Sequence, residues 1–218
     1  MVCMILMDYS IAQDLKTTLL QMRESYQQGE QLHIRMEIKV FEQSYGEEPF
    51  YQGTANIKKE DDNYWYSFGN NEMFMNGKRV IMIDHASKEM VHTSRQFQTP
   101  ADSWDIFTLS IDSILGFYEK PVYLGFSEGS HHYRVRQEKG PVDVIEMSVD
   151  DATNMLTSLK YSYRMGHKVA VRFLVFDPAP VFKASTFDEE RYLRIAGTRV
   201  EPSGPFKEYT LYDQSIEQ

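Results

Sequence analysis

Hydrophobic and polar positions alternate with a period of two over most of the chain. The longest run sets Leu32, Ile34, Met36, Ile38 and Val40 against His33, Arg35, Glu37 and Lys39. Successive side chains of an extended strand point to opposite faces, so this run predicts a strand with one buried and one wet face. Tyr51, Ala55 and Ile57 alternate with Gln52, Thr54, Asn56 and Lys58, and Tyr64, Tyr66 and Phe68 continue the pattern. Met73-Phe74-Met75 and Val80-Ile81-Met82-Ile83 flank Asn76-Gly77, which predicts a hairpin. Further strands are predicted at 122–126, 133–137, 142–147, 156–165 and 169–176; in the fourth of these Leu159, Tyr161, Tyr163 and Met165 share a face.

Helical spacing is confined to two places. From Asp14, the positions Leu15, Leu19, Met22 and Tyr26 recur every three or four residues and stop near Gly29. Thr99-Pro100-Ala101-Asp102 supplies a capping hydroxyl, a proline at the first helical position and an early carboxylate. Trp104, Phe107, Ile111, Ile114 and Leu115 then form an apolar stripe, ended by Gly116. Many strands joined by short turns, with one helix before them and one among them, predict an α+β domain: an antiparallel sheet wrapped over helices. A parallel doubly wound fold needs a helix between most strands, and the pattern holds none.

Length and composition narrow the function. A chain of 218 residues without a Pro/Gly/Ser linker reads as one domain, spanning 14–218. The formal net charge of −9, with basic residues scattered, excludes a nucleic-acid partner, which needs a concentrated basic surface. Cys3 is the single cysteine, so an internal disulfide and a cysteine-rich metal site are excluded. No apolar run approaches the roughly 18–20 residues that span a bilayer as a helix. Residues 1–13 combine an apolar start with Ser10-Ile11-Ala12-Gln13 and read as the remnant of a signal peptide. The expected compartment is the periplasm, or the cytoplasm if no signal precedes the first residue.

Motifs for catalysis are missing. The sequence lacks Gly-x-Ser-x-Gly, the phosphate-binding Gly-rich loops and His-Glu-x-x-His, so no enzyme, catalytic residue or cofactor is expected. Asp84, His85 and His92 invite a metal reading, but Asp84 to Lys88 reads better as a solvated hairpin loop, and no metal site is assigned. His131-His132, after Gly129-Ser130, reads as a turn. The chain is rich in methionine, with twelve. Met36, Met73, Met75, Met82, Met90, Met147 and Met165 fall on predicted strands, where flexible thioethers suit an adaptable apolar surface. With Tyr64, Tyr66, Tyr161, Tyr163 and Phe173 they make more apolar sheet face than two helices cover.

The order of elements then becomes informative. A helix precedes the strand from Leu32 to Phe41; a Gly53-Thr54-Ala55-Asn56-Ile57-Lys58 strand and Tyr64-Trp65-Tyr66 follow. Asn76-Gly77-Lys78, the capped central helix, Leu159 to Arg164 and Val169 to Asp177 come next, before Phe187 to Leu193 and Tyr209 to Asp213. This succession resembles the LolA-like outer-membrane lipoprotein carriers, from about Asp14 to Gln214. The resemblance implies a strongly curved antiparallel sheet, an incomplete barrel, whose apolar concave face holds acyl chains. Arg35 lies on the strand that carries the family's lid-contacting arginine, while the stretch from Phe117 to Glu146 departs from the family pattern.

The implied ligand-binding residues are Met36, Ile38, Tyr66, Met82, Leu159 and Tyr161 on the concave side, with Trp104 and Phe107 as cover. The expected function is a non-catalytic periplasmic carrier for lipid or lipoprotein acyl chains, with lipid or acylated lipoprotein as partner. The alternative is an envelope assembly or docking protein that uses the same sheet without a lipid ligand, its partners being envelope proteins. An apolar cavity of several hundred cubic ångströms favours the first, a closed core the second.

Overall fold

A computed structural model of the chain describes residues 15, 17–19, 31–46, 48–95, 121–197 and 199–215. Each predicted strand is present. In chain order they are β1 (Gln31–Phe41), β2 (Tyr51–Glu60), β3 (Asn63–Phe68), β4 (Asn71–Met75), β5 (Arg79–Asp84), β6 (Glu89–Ser94), β7 (Val122–Ser127), β8 (Ser130–Arg136), β9 (Val142–Asp150), β10 (Leu156–Tyr163) and β11 (Lys168–Asp177). Three short strands follow, β12 (Leu193–Ala196), β13 (Arg199–Pro202) and β14 (Thr210–Asp213).

Twelve strands form one sheet in the order β14-β6-β5-β4-β3-β2-β1-β11-β10-β9-β8-β7. It consists of two meanders, β1 to β6 and β7 to β11, joined where β1 pairs antiparallel with β11. All pairs are antiparallel except β14 with β6. The turns are short. Asp61 takes a left-handed φ of 51° between β2 and β3, and Lys88 one of 55° between β5 and β6. Asp84 accepts from the Ala86 and Ser87 amides at 2.8 and 3.2 Å, so the polar loop predicted from Asp84 to Lys88 is a capped turn.

Asn76 closes the β4–β5 hairpin with its side chain. Its Oδ1 accepts from the Lys78 and Arg79 amides, both at 2.9 Å, and its Nδ2 donates to Glu189 Oε2 at 2.7 Å. Asn76→Ala is expected to lower the unfolding free energy by about 1–2 kcal/mol, through lost turn bonds and a half-buried Glu189 carboxylate short of one donor. Urea denaturation of the variant and the parent measures this.

The sheet is large, curved and open, so a curved antiparallel sheet is present as expected from the sequence, but the α+β class and the wrapping over helices are not borne out. Helix among the described residues is limited to Leu15 and residues 17–19 and to short 3-10 turns. Leu15 and Leu19, from the predicted N-terminal stripe, are buried against Tyr133, Val135, Ile145, Met147 and Val149. The predicted central helix and residues 1–13 lie outside the described residues. The layer on the opposite side of β3 to β6 is not helical. There the segment after β11 supplies the β12–β13 hairpin and 3-10 turns at Ala184–Phe187, Glu189–Arg191 and Gly204–Phe206. Tyr192, Leu193 and Phe206 from this segment pack with Phe74, Ile81, Ile83 and Met90. The physical reason is visible in the sequence of β4 and β5. Their apolar runs do not alternate, so both faces need cover, and the second face receives it from this C-terminal cap.

One turn is also relocated. Ser130, His131 and His132 belong to β8, and the reversal falls at Glu128 and Gly129, both with left-handed φ. His131 bridges Tyr123 Oη at 3.0 Å and Asp151 Oδ1 at 2.8 Å.

Candidate ligand-binding face

Residues opposite one another in an antiparallel ladder point to the same side of the sheet. One row runs Phe176–Ile34–Ile57–Tyr66–Met73–Met82–Val91 and ends at Tyr212 of β14. A second joins Phe173, Met36, Ala55 and Phe68. A third runs Tyr133–Met147–Leu159–Val171–Ile38–Gly53. Tyr161 continues through Val169 and Val40 to Tyr51. Met36, Ile38, Tyr66, Met82, Leu159 and Tyr161 therefore lie on one continuous apolar face, as their alternation in the sequence implies. Trp104 and Phe107 lie outside the described residues.

The face is not uniform. At the β8–β9 end it is closed: Tyr133 is 1% exposed and Val149 1%, under Leu15 and Leu19. In the middle, Leu32, Ile34 and Ile57 are buried, while Met36, Tyr66, Phe173 and Phe176 pack half-buried around them. Burial lifts the Tyr66 phenol above its ordinary range, helped by Tyr51, which keeps it neutral on this surface. Ile38 stands opposite Gly53, where the missing side chain leaves a dip that the Tyr51 ring occupies. At the β5–β14 end, Met82 is 40% and Tyr212 47% exposed. Beyond the closed part, Phe126 of β7 stands opposite His131 on the same side as Tyr133 and is 55% exposed, so the face offers accessible apolar surface at both ends.

The opposite face holds the polar chemistry. Arg35 is exposed there, pointing away from Met36 and Ile38, so it does not contact anything on the apolar side. Glu72 is 6% exposed. Its Oε1 accepts from Trp65 Nε1 and Tyr192 Oη, each at 2.6 Å, and its Oε2 contacts His85 Nε2 at 3.0 Å. Burial alone raises the Glu72 carboxyl, but the bonds from Tyr192 and Trp65, the Arg191 charge and His85 outweigh it, and the net shift is downward. The Tyr192 phenol is held far above its ordinary range by burial and by Glu72, so it remains a donor.

Asp84, His85 and His92 do not converge. Asp84 caps its turn, His85 also contacts Tyr209 Oη at 2.9 Å, and His92 pairs with Asp213 Oδ1 at 2.9 Å. His92 is 2% exposed, so the solvated reading fails for it: it sits in β6, its Nδ1 held by β14. Among the described residues no group of three or more His, Cys, Asp or Glu is placed to hold a metal ion. A depression of about 310 Å³ lined by Arg194, Glu201, Pro202, Ser203 and Lys207 lies on the cap and is polar, away from the apolar face. Glu72, Tyr192 and the cap were not anticipated from the sequence; the unalternating runs of β4 and β5 were the signal for them.

No protein-family model matches the sequence, and no curated protein matches it. Solved structures do match the fold. The complex of Pseudomonas aeruginosa MucA and MucB is similar at a TM-score of 0.50 and 10% identity, covering 86% of this chain and 62% of that one. The chain thus spans a little under two thirds of that matched chain. A putative outer membrane lipoprotein-sorting protein domain from Vibrio parahaemolyticus matches at 0.38 and 8% identity, covering 80% of this chain and 96% of that one. A LolA superfamily protein from Nitrosomonas europaea matches at 0.32 and 8% identity, over 76% of this chain and 96% of that one. Of these three, the match to the MucA/MucB complex reaches a TM-score of 0.50, and at 10% identity it bears on the fold alone. Among the described residues no helix is long and apolar enough to cross a membrane.

Proposed function

We propose that this chain is a non-catalytic carrier or sensor for lipid or lipoprotein acyl chains, working in the periplasm of the bacterial cell envelope. One observation carries the reading: the continuous apolar face that runs through Tyr161, Leu159, Ile38, Met36, Tyr66 and Met82, buried in places and open to solvent in others. Each methylene moved from water to such a surface contributes about 0.8 kcal/mol, so a partly covered acyl chain is held without any polar contact. Half-buried Met and Tyr side chains give a surface that adapts to its cargo and releases it.

A second reading is a docking protein for an envelope partner. It is supported by the matched MucB, which is in complex with MucA, and by the polar character of the depression on the cap.

Native mass spectrometry of the chain purified from an envelope fraction, followed by organic extraction, separates the two. Acylated species that leave with the organic phase are the expected result. A clean unliganded mass that incubation with fatty acids and phospholipids leaves unchanged overturns the carrier reading in favour of docking.

A further inference from the structure

The apolar face carries five methionines, Met36, Met73, Met75, Met82 and Met147. Met75 and Met147 are each 5% exposed, Met36 and Met73 are half-buried, and Met82 alone of the five passes a third, at 40%. It stands between Met73 and Val91 in the row that leads from Tyr66 to Tyr212 of β14. The most exposed of these five methionines therefore sits in an accessible part of the apolar face.

We propose that Met82 is an oxidative modification site, and that its sulfoxide switches the face from ligand-binding to ligand-releasing. The reactant is a peroxide. The thioether sulfur attacks one peroxide oxygen, the O–O bond breaks and the S–O bond forms. Sulfur loses two electrons and the second oxygen leaves as water after taking the proton of the transferred hydroxyl. The product replaces a polarizable apolar group by a strong hydrogen-bond acceptor. Its cross-strand neighbours, the thioether of Met73 and the isopropyl group of Val91, have no hydrogen to donate to that oxygen. Covering the sulfoxide with an acyl chain then removes its water without replacement, which is unfavourable. The step is reversible by methionine sulfoxide reductases. The release effect rests on the carrier reading above; the site of oxidation does not.

The test is peroxide treatment of the full chain, with peptide mapping by mass spectrometry and titration with a dansyl-labelled fatty acid. Met82, with the 91%-exposed Met165 of the β10–β11 turn, is expected to oxidise before Met75, Met147 and the fully buried Met90. Fatty-acid affinity is expected to fall about tenfold, the lower range for burying an unpaired polar group, and to return on treatment with reductase. In Met82→Leu, whatever its starting affinity, oxidation leaves binding where it began, whereas Met165→Leu loses affinity as the parent does. Oxidation of Met82 no faster than that of Met90, or a loss of affinity that persists in Met82→Leu, overturns the proposal. A chain that binds no labelled fatty acid before oxidation overturns the switch together with the carrier reading, and the order of oxidation still reports on the site.

Discussion

A chain ended at Asp177 is expected to lose its cooperative unfolding transition and to bind a hydrophobic dye. The cap removed by this truncation contributes Tyr192, Leu193 and Phe206, which are 0%, 2% and 3% exposed. Burying a large apolar side chain stabilises by about 1.5–3 kcal/mol, so these three account for roughly 5–9 kcal/mol, a large part of the 5–15 kcal/mol that separates folded from unfolded domains. The loss is greater than that sum. Phe74, stacked on Tyr192 at 5.2 Å, becomes exposed along with Ile81, Ile83 and Met90, and β6 loses β14 as its neighbour. Thermal denaturation followed by near-ultraviolet circular dichroism, with dye fluorescence in parallel, is the measurement. A sharp transition near that of the parent shows the sheet to be self-sufficient and refutes the expectation.

The second large effect is expected at the centre of the same interface. Glu72→Ala leaves the Trp65 indole N–H and the Tyr192 hydroxyl without the carboxylate oxygen they share at 2.6 Å, and His85 without its contact at 3.0 Å. Buried donors stranded in this way cost about 3–5 kcal/mol in total. Glu72→Gln keeps a carbonyl oxygen in place and is expected to lose less. The pH dependence has a defined sign. Glu72 has a folded pKa below its ordinary value of 4.5, so the unfolded chain binds this proton more readily. Its contribution is fully present above about pH 4.5 and disappears as the pH falls through the lower folded value. Asp213, whose shift is also downward against an ordinary value of 3.8, adds a loss of the same sign at lower pH: burial opposes the shift, and the Ser215 hydroxyl and amide with His92 outweigh it. Urea midpoints taken from neutral pH to below about pH 4 are expected to fall in the parent and to fall less in Glu72→Gln. Equal slopes in the two chains place the acid sensitivity elsewhere.

The sheet was legible in the sequence wherever one face is wet. The alternation through β1 places Ile34, Met36 and Ile38 on one side without reference to any neighbour, and the tyrosines of β3 and β10 repeat the device. Because the period is two, strand register alone puts the six sheet residues expected to line a ligand face on one side of the sheet. What alternation does not encode is the layer above a strand. β4 and β5 are apolar on both sides, and the cap that covers them is built from strands of four residues and single 3-10 turns, too short for any period to emerge. Glu72 was hidden for a related reason. A carboxylate beside a turn, at the start of a short strand, reads as solvated, and only the arrival of Tyr192, 120 residues later, makes it a buried acceptor. His92 reads the same way until Asp213 is brought beside it by β14.

The seam between β1 and β11 has a consequence for biogenesis. Within each meander the ladders close across short connections, but the seam joins Phe41 to Lys168, more than a hundred residues apart. Closing so long a segment costs about 3–4 kcal/mol more than closing a two-residue hairpin. During synthesis the apolar face therefore exists first as two half-sheets, each with a bare, hydrophobic edge strand of ten or eleven residues open to pairing with other chains. β1 therefore remains an unpaired apolar edge from the time it emerges until β11 has been made, the interval in which a chain of this topology is most open to wrong pairing.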